Sequence, residues 1–441
     1  MTHSRADIVA LDKRRVWHPY TEMGSYIEAT DPLVVARAEG ARLYDVDGRS
    51  YLDANSSWWV AALGHNHPRL VAALARQAEQ LCHCALAGIA HPEAALLAEE
   101  LASVAPRGLE RVFFSDNGST SVEVAVKIAV QFAHQNGAPR RTRFVALEGA
   151  FHGETLAATS LGGVEVFRRP FAGIVFDCVH VPPPAGEASY ERAFDELARA
   201  IAAAPDEIAG VVLEPRVQGA AGMRMYPAEY LRHARALCDR HEIPLVIDEV
   251  FTGYGRTGPM WASEEAGVVP DLLCLAKGFS GGMFPMAATL ATERLFRGFF
   301  GDRSRAFHYG HTYCGNPLGA AVAREVLRIY REERILERAA PKARAIAAAF
   351  TALAELPHVA RPRALGMIGA VDLEIPDAAS GYLGQAGWAV YEAARRRGLY
   401  LRPLGNVVYV APPINIPDAD LAELLGKVRE SVEEVVRGSR G

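Results

Sequence analysis

"PLVIDEVFTGYGRTG", residues 244–258, runs from a continuous apolar segment into two acids, Asp248 and Glu249, and then into three glycines. A short unbroken apolar run reads as a strand buried on both faces, the situation found in parallel sheets covered by helices. Six further runs repeat the pattern with helical stretches between them: RVFF (111–114), RFVAL (143–147), CVHV (178–181), AGVVLE (209–214), LLCLA (272–276) and AATLAT (287–292). The alternation predicts an α/β fold with a mostly parallel sheet sandwiched by helices. In open sheets of this class ligands bind beyond the carboxyl ends of the strands. Asp248 and Lys277 both fall there, so the paired acids mark where chemistry is expected.

Outward from this core, LYDVDGRSYLD (43–53) predicts a hairpin turned by Asp47-Gly48. After Asn316 the chain becomes rich in Ala, Arg and Glu, then gives strand signals at MIGAVDL, LYLRP and VVYVAPP and a closing amphipathic helix from Asp418. The expected organisation is an N-terminal segment 1–68, a large domain 69–320 and a smaller α+β domain from 321–441, the last built from both chain ends. Internal repeats and flexible linkers are not evident, so close packing of the parts is expected.

With 441 residues, half of them hydrophobic, the chain is long enough for a large core. A net charge of -5 with scattered basic residues offers no field for nucleic acid. The first twenty residues lack a signal-peptide core and no stretch reads as a membrane span, so a cytoplasmic enzyme is expected. The six cysteines lack a disulfide framework, and Cys82-His83-Cys84 has no second spaced pair, so no metal is assigned.

Gly253-Tyr254-Gly255-Arg256-Thr257-Gly258 formally matches a dinucleotide fingerprint. Five residues separate it from the strand and Pro259 follows it, which excludes the required strand–glycine–helix geometry. Four other features combine better. Gly118 and Ser119, in SDNGSTSVEVAVKIAVQ, open a helix after a strand, where free N–H groups and the helix dipole suit a phosphate. Lys277 leaves a buried strand, and a desolvated lysine is a nucleophile toward aldehydes. Asp248 supplies an anion that keeps a pyridine nitrogen protonated, and Phe151 offers an aromatic face. Together they describe a pyridoxal 5'-phosphate site. Glu249, on the opposite side of its strand, is expected to support the loop.

With these motifs, and with WHPYT (17–21), SSWW (56–59), QGAAGMRMY (218–226) and LYLRPLGNVVYVAPP (399–413), the chain resembles the class III pyridoxal-phosphate aminotransferases over nearly its whole length. The resemblance implies the fold-type I architecture, Lys277 as the cofactor-binding lysine and Asp248 as partner of the ring nitrogen. It also implies Gly118, Ser119, His311 and Thr312 at the phosphate, the last two donated by a second subunit of a homodimer. Tyr20, Trp58, Phe151 and Gly310 match substrate-pocket positions, Tyr20 also being a candidate catalytic group, and Arg402 matches an arginine that grips a far carboxylate. The tryptophan and tyrosine motifs are similar to the biotin-pathway branch. That branch implies transamination of the keto acid 7-keto-8-aminopelargonate to 7,8-diaminopelargonate. Phe151 in place of Tyr and His311 in place of Pro leave S-adenosylmethionine and lysine both open as amino donor. They also keep an ω-amino acid or diamine aminotransferase as the alternative. Phe251, where many class III enzymes have Gln, and the absence of Glu at Ala220-Ala221 favour the biotin branch.

Overall fold

The structure is a computed structural model that describes residues 3–184, 190–376 and 383–438. Near the N-terminus β1 (Val35–Glu39), β2 (Arg42–Asp45) and β3 (Ser50–Asp53) form an antiparallel ladder. Gly48 makes the expected turn with φ +84, and Asp45 Oδ1 accepts from the N–H groups of Asp47 and Arg49 at 3.0 and 2.8 Å.

The central sheet has seven strands, β4 (Leu109–Ser115), β5 (Arg143–Leu147), β6 (Cys178–Val181), β7 (Ile208–Leu213), then, past the small hairpin β8 (Val217–Gln218) and β9 (Arg224–Met225), β10 (Leu245–Asp248), β11 (Leu272–Leu275) and β12 (Ala287–Thr292). Their spatial order is β4-β12-β11-β10-β7-β5-β6. The links β11–β10–β7–β5–β6 are all parallel, whereas β12 runs antiparallel to both β11 and β4. The short connection from β11 to β12, residues 276–286, contains only a 3-10 turn, too little for the crossover that a parallel neighbour requires. Every residue of β7, β10 and β11 is buried, as the continuous apolar runs demand. Each fully buried Val, Ile or Leu contributes up to about 1.5–3 kcal/mol of transfer free energy.

The C-terminal part forms a second sheet from β13 (Val359–Leu365), β14 (Ile368–Leu373) and, beyond β15 (Leu399–Tyr400), β16 (Val407–Val410). β15 instead pairs in parallel with β3, so the two chain ends share a sheet. Arg42 ties the same ends together through Asp420 at 2.7 Å and Glu423 at 2.6 Å, both on the closing helix Asp418–Gly438. No helix among the described residues is long and apolar enough to cross a membrane.

Candidate active site

The strand ends deliver Asp248 and Lys277 to one cavity of about 840 Å³. Lys277 opens the 3-10 turn Lys277–Ser280 and holds φ +49, a left-handed conformation that only surrounding structure can impose on a side-chain-bearing residue. Its Nζ lies 4.5 Å from the ring centroid of Trp59 and 5.6 Å from that of Phe251, and makes no hydrogen bond among the described residues. Burial pushes the amine down to about 8, against the opposing pull of Asp248 and Glu214. A large share of it is therefore neutral, and nucleophilic, near physiological pH.

Asp248 is 4% exposed. Its Oδ2 pairs with Nδ1 of the buried His152 at 2.8 Å, and its Oδ1 accepts from the N–H of Val250 at 3.0 Å. Burial is the largest single influence on His152 and opposes its charge, but the hydrogen bond to Asp248 together with the charges of Asp248 and Glu214 outweighs it, and the imidazole is raised above its ordinary range. Neighbouring Glu249 turns away as expected. It accepts from Thr252 Oγ1 at 2.6 Å and from the N–H of Ser263 at 2.9 Å, and burial raises it to about 7.

At the far end of the cavity stands the helix Gly118–Gln135. Asn117 caps it by accepting from the N–H of Thr120 at 3.0 Å, which leaves the N–H groups of Gly118 and Ser119 without intrahelical partners. Gly118 has to be glycine, because a Cβ there would lie 2.7 Å from Val250 Cγ1. The side walls are aromatic: Tyr20, Trp58, Trp59, Phe151, Phe167 and Phe251. Trp58 and Trp59 come from a turn in which Ser56, Ser57, Trp58 and Trp59 all have positive φ, between 44 and 71°. Ser56 Oγ donates to the carbonyl of Ala411 at 2.8 Å and Ser57 Oγ to Asp53 Oδ2 at 2.8 Å, which pins this left-handed turn. Tyr20 packs edge-on to Trp58, its hydroxyl donating to Glu154 Oε1 at 2.6 Å.

Of the residues expected from sequence, Lys277, Asp248, Gly118, Ser119, Phe151, Tyr20 and Trp58 line this cavity. Gly310, His311, Thr312 and Arg402 do not. Gly310 and Thr312 are exposed, and His311 is half-buried with its Nε2 3.6 Å from Asp116 Oδ1. Arg402 lies one layer back, its guanidinium between the rings of Trp58 and Trp388 at 5.3 Å from each, with no acid partner among the described residues. Sequence reasoning missed His152, Glu214 and Glu154. Only their positions, Glu214 closing the predicted strand AGVVLE and His152 and Glu154 in the loop after RFVAL, could have pointed to them.

The class-III aminotransferase family pattern matches residues 26–432. The chain belongs to that family. It is 41% identical to the adenosylmethionine-8-amino-7-oxononanoate aminotransferase of Nitratidesulfovibrio vulgaris, over 97% of this chain and 82% of that one. The crystal structure of the same-named aminotransferase from Methanocaldococcus jannaschii superposes with a TM-score of 0.93 at 34% identity, covering 98% and 99% of the two chains. An amine transaminase from an uncultivated Pseudomonas species, in its PLP-bound form, gives 0.89 at 32% identity, covering 96% and 98%. This class-III aminotransferase uses pyridoxal 5'-phosphate. The residues present fit that group. An unbonded amine of lowered basicity, an anchored buried carboxylate and a glycine-opened helix N-terminus face one flat, aromatic-walled space.

Proposed function

We propose that this aminotransferase converts 8-amino-7-oxononanoate to 7,8-diaminononanoate in biotin biosynthesis, with S-adenosylmethionine or lysine as amino donor. The observation that carries the catalytic part is the meeting of Lys277 and Asp248 at one cavity, and the relatives' shared name supports the substrate. Pyridoxal phosphate, when bound, supplies an electron-poor ring that stabilises the charge left when a proton leaves the donor carbon. Lys277 would hold the cofactor's aldehyde through Nζ, and as a free amine the same Nζ would accept and return a proton at the reacting carbons. Asp248, held by His152, would keep the ring nitrogen cationic. Gly118 and Ser119 would donate main-chain N–H groups to the phosphate, and Phe151 would supply an aromatic face for the ring. Tyr20 and Trp58 shield the reacting carbon from water. Arg402, with no acid partner among the described residues and stacked on Trp58 at the edge of the pocket, would turn toward the cavity to receive the keto substrate's far carboxylate. The same residues serve both halves of a ping-pong exchange.

The exposed Thr312 and Gly310, with His311 beside Asp116, support a homodimer in which these residues complete the partner's phosphate site. Purified holoenzyme given 8-amino-7-oxononanoate with S-adenosylmethionine, then with lysine, should yield 7,8-diaminononanoate by mass spectrometry with at least one donor. Lys277→Ala should lose turnover by several orders of magnitude while retaining its circular dichroism. Product formation from neither donor, with turnover of simple amines and pyruvate instead, would establish an ω-amine aminotransferase.

A further inference from the structure

Glu214 follows β7 directly, and the register that pairs Leu213 with Ile247 brings it out beside Asp248 on the neighbouring strand. It is 6% exposed and forms no ion pair among the described residues. Its two oxygens hold two different loops. Oε1 accepts from the N–H of Phe151 at 3.0 Å, and Oε2 accepts from the N–H of Gly219 at 2.9 Å. Phe151 lines one wall. Gly219 backs the other, since a Cβ built there would lie 3.0 Å from Phe251 Cδ1 and 3.5 Å from Trp59 Cη2. Those two rings are the ones against which Lys277 Nζ rests. A single carboxyl thus spans the backbone behind the ring-covering face and the backbone behind the lysine.

We propose that Glu214 is a positioning residue for transamination, setting the spacing between the Phe151 wall and the Trp59–Phe251 platform and adding a switchable charge beside Lys277. The inference rests on the assignment of Lys277 as the cofactor-binding lysine. The groups whose charge bears on Glu214 are His152, Asp248, Lys277 and Arg224, together with Tyr226, whose hydroxyl donates to the Glu214 carbonyl. Burial raises Glu214 to about 7, and the adjacent Asp248 adds to the rise while His152 and the two N–H bonds oppose it. Ionised Glu214 stabilises the charged form of Lys277, so loss of this carboxylate shifts the lysine to lower pH.

Glu214→Gln keeps the shape, removes the charge and can satisfy only one of the two N–H groups. Apoenzyme of the variant should bind pyridoxal phosphate about tenfold more weakly, the consequence of one stranded buried donor. Its pH profile for cofactor capture, followed by absorbance, should have a midpoint below that of the wild type. Wild-type affinity, or an unmoved midpoint, overturns the inference. Should the Gln variant fail to fold, Glu214→Asp keeps the charge but shortens the reach. It is expected to weaken cofactor binding about as much, and wild-type affinity in it overturns the inference equally. Failure of the wild type itself to take up pyridoxal phosphate would instead remove the assignment of Lys277.

Discussion

A lysine amine resting on two aromatic faces, with no acid partner among the described residues, is poorly solvated, and its chemistry follows from that. Because burial brings Lys277 down to about 8, the neutral amine becomes the majority form as pH rises through that value. Apoenzyme capture of pyridoxal phosphate should therefore accelerate from pH 6 to about 8 and level off above it. An ordinary lysine would gain about tenfold per pH unit up to about 10. Stopped-flow absorbance across this range checks the point, and a rate still climbing tenfold per unit at pH 9–10 would mean the amine is not desolvated. Lys277 and Asp248 were legible in the sequence because each ends an apolar run, and strand ends are where such sheets bind ligands. His152 and Glu214 were not. Glu214 also closes an apolar run, but the roles of both residues depend on which neighbours the fold brings within hydrogen-bond reach, and neither residue type nor spacing carries that information.

Between residues and fold, loops that touch a helix start decide how the phosphate end is shaped. Gly153 has φ +118, and a Cβ on it would stand 2.1 Å from Ser119 Oγ and 2.8 Å from Ser119 Cα. The loop can lie this close only without a side chain, and it lets Ser119 Oγ accept from the N–H of Glu154 at 3.0 Å. Gly153→Ala should cost about 1–3 kcal/mol through backbone strain and displace the start of the helix. The thermal midpoint should fall, and affinity for pyridoxal phosphate should drop more than affinity for pyridoxal, which lacks the phosphate. Equal losses for the two ligands would place the damage elsewhere. At this scale the seven strands were readable, β5, β6 and β12 to the residue, because apolar runs and helical stretches alternate. The reversed direction of β12 was not, since strand direction depends on connection length and the 3-10 turn at Lys277 gives no periodic signal. The left-handed turn Ser56–Trp59 was equally hidden. Serine and tryptophan have no intrinsic preference for positive φ, and the bonds that hold the turn come from Asp53 and Ala411.

Across the whole molecule, the residues expected to act in a partner's site coincide with exposed surface. Trp17 is 87% exposed, Tyr313 59% and Ile89 56%, unusual for large apolar side chains in a chain whose central strands β7, β10 and β11 are buried throughout. Thr312 and Gly310 lie on the same exposed segment as Tyr313, outside their own chain's cavity. Were each site composed of Lys277 from one subunit and Thr312 from the other, two different defects would complement in a mixed dimer. Lys277→Ala removes the amine, and Thr312→Glu sets a carboxylate against the phosphate, so each homodimer should be nearly inactive. Refolded together in equal amounts, half of the dimers are hybrids, and each hybrid carries one site with both residues intact. Activity should then recover to about a quarter of the wild-type value per protomer. A mixture no more active than its parents, with hybrids verified by mass, would mean that each protomer builds its phosphate site alone.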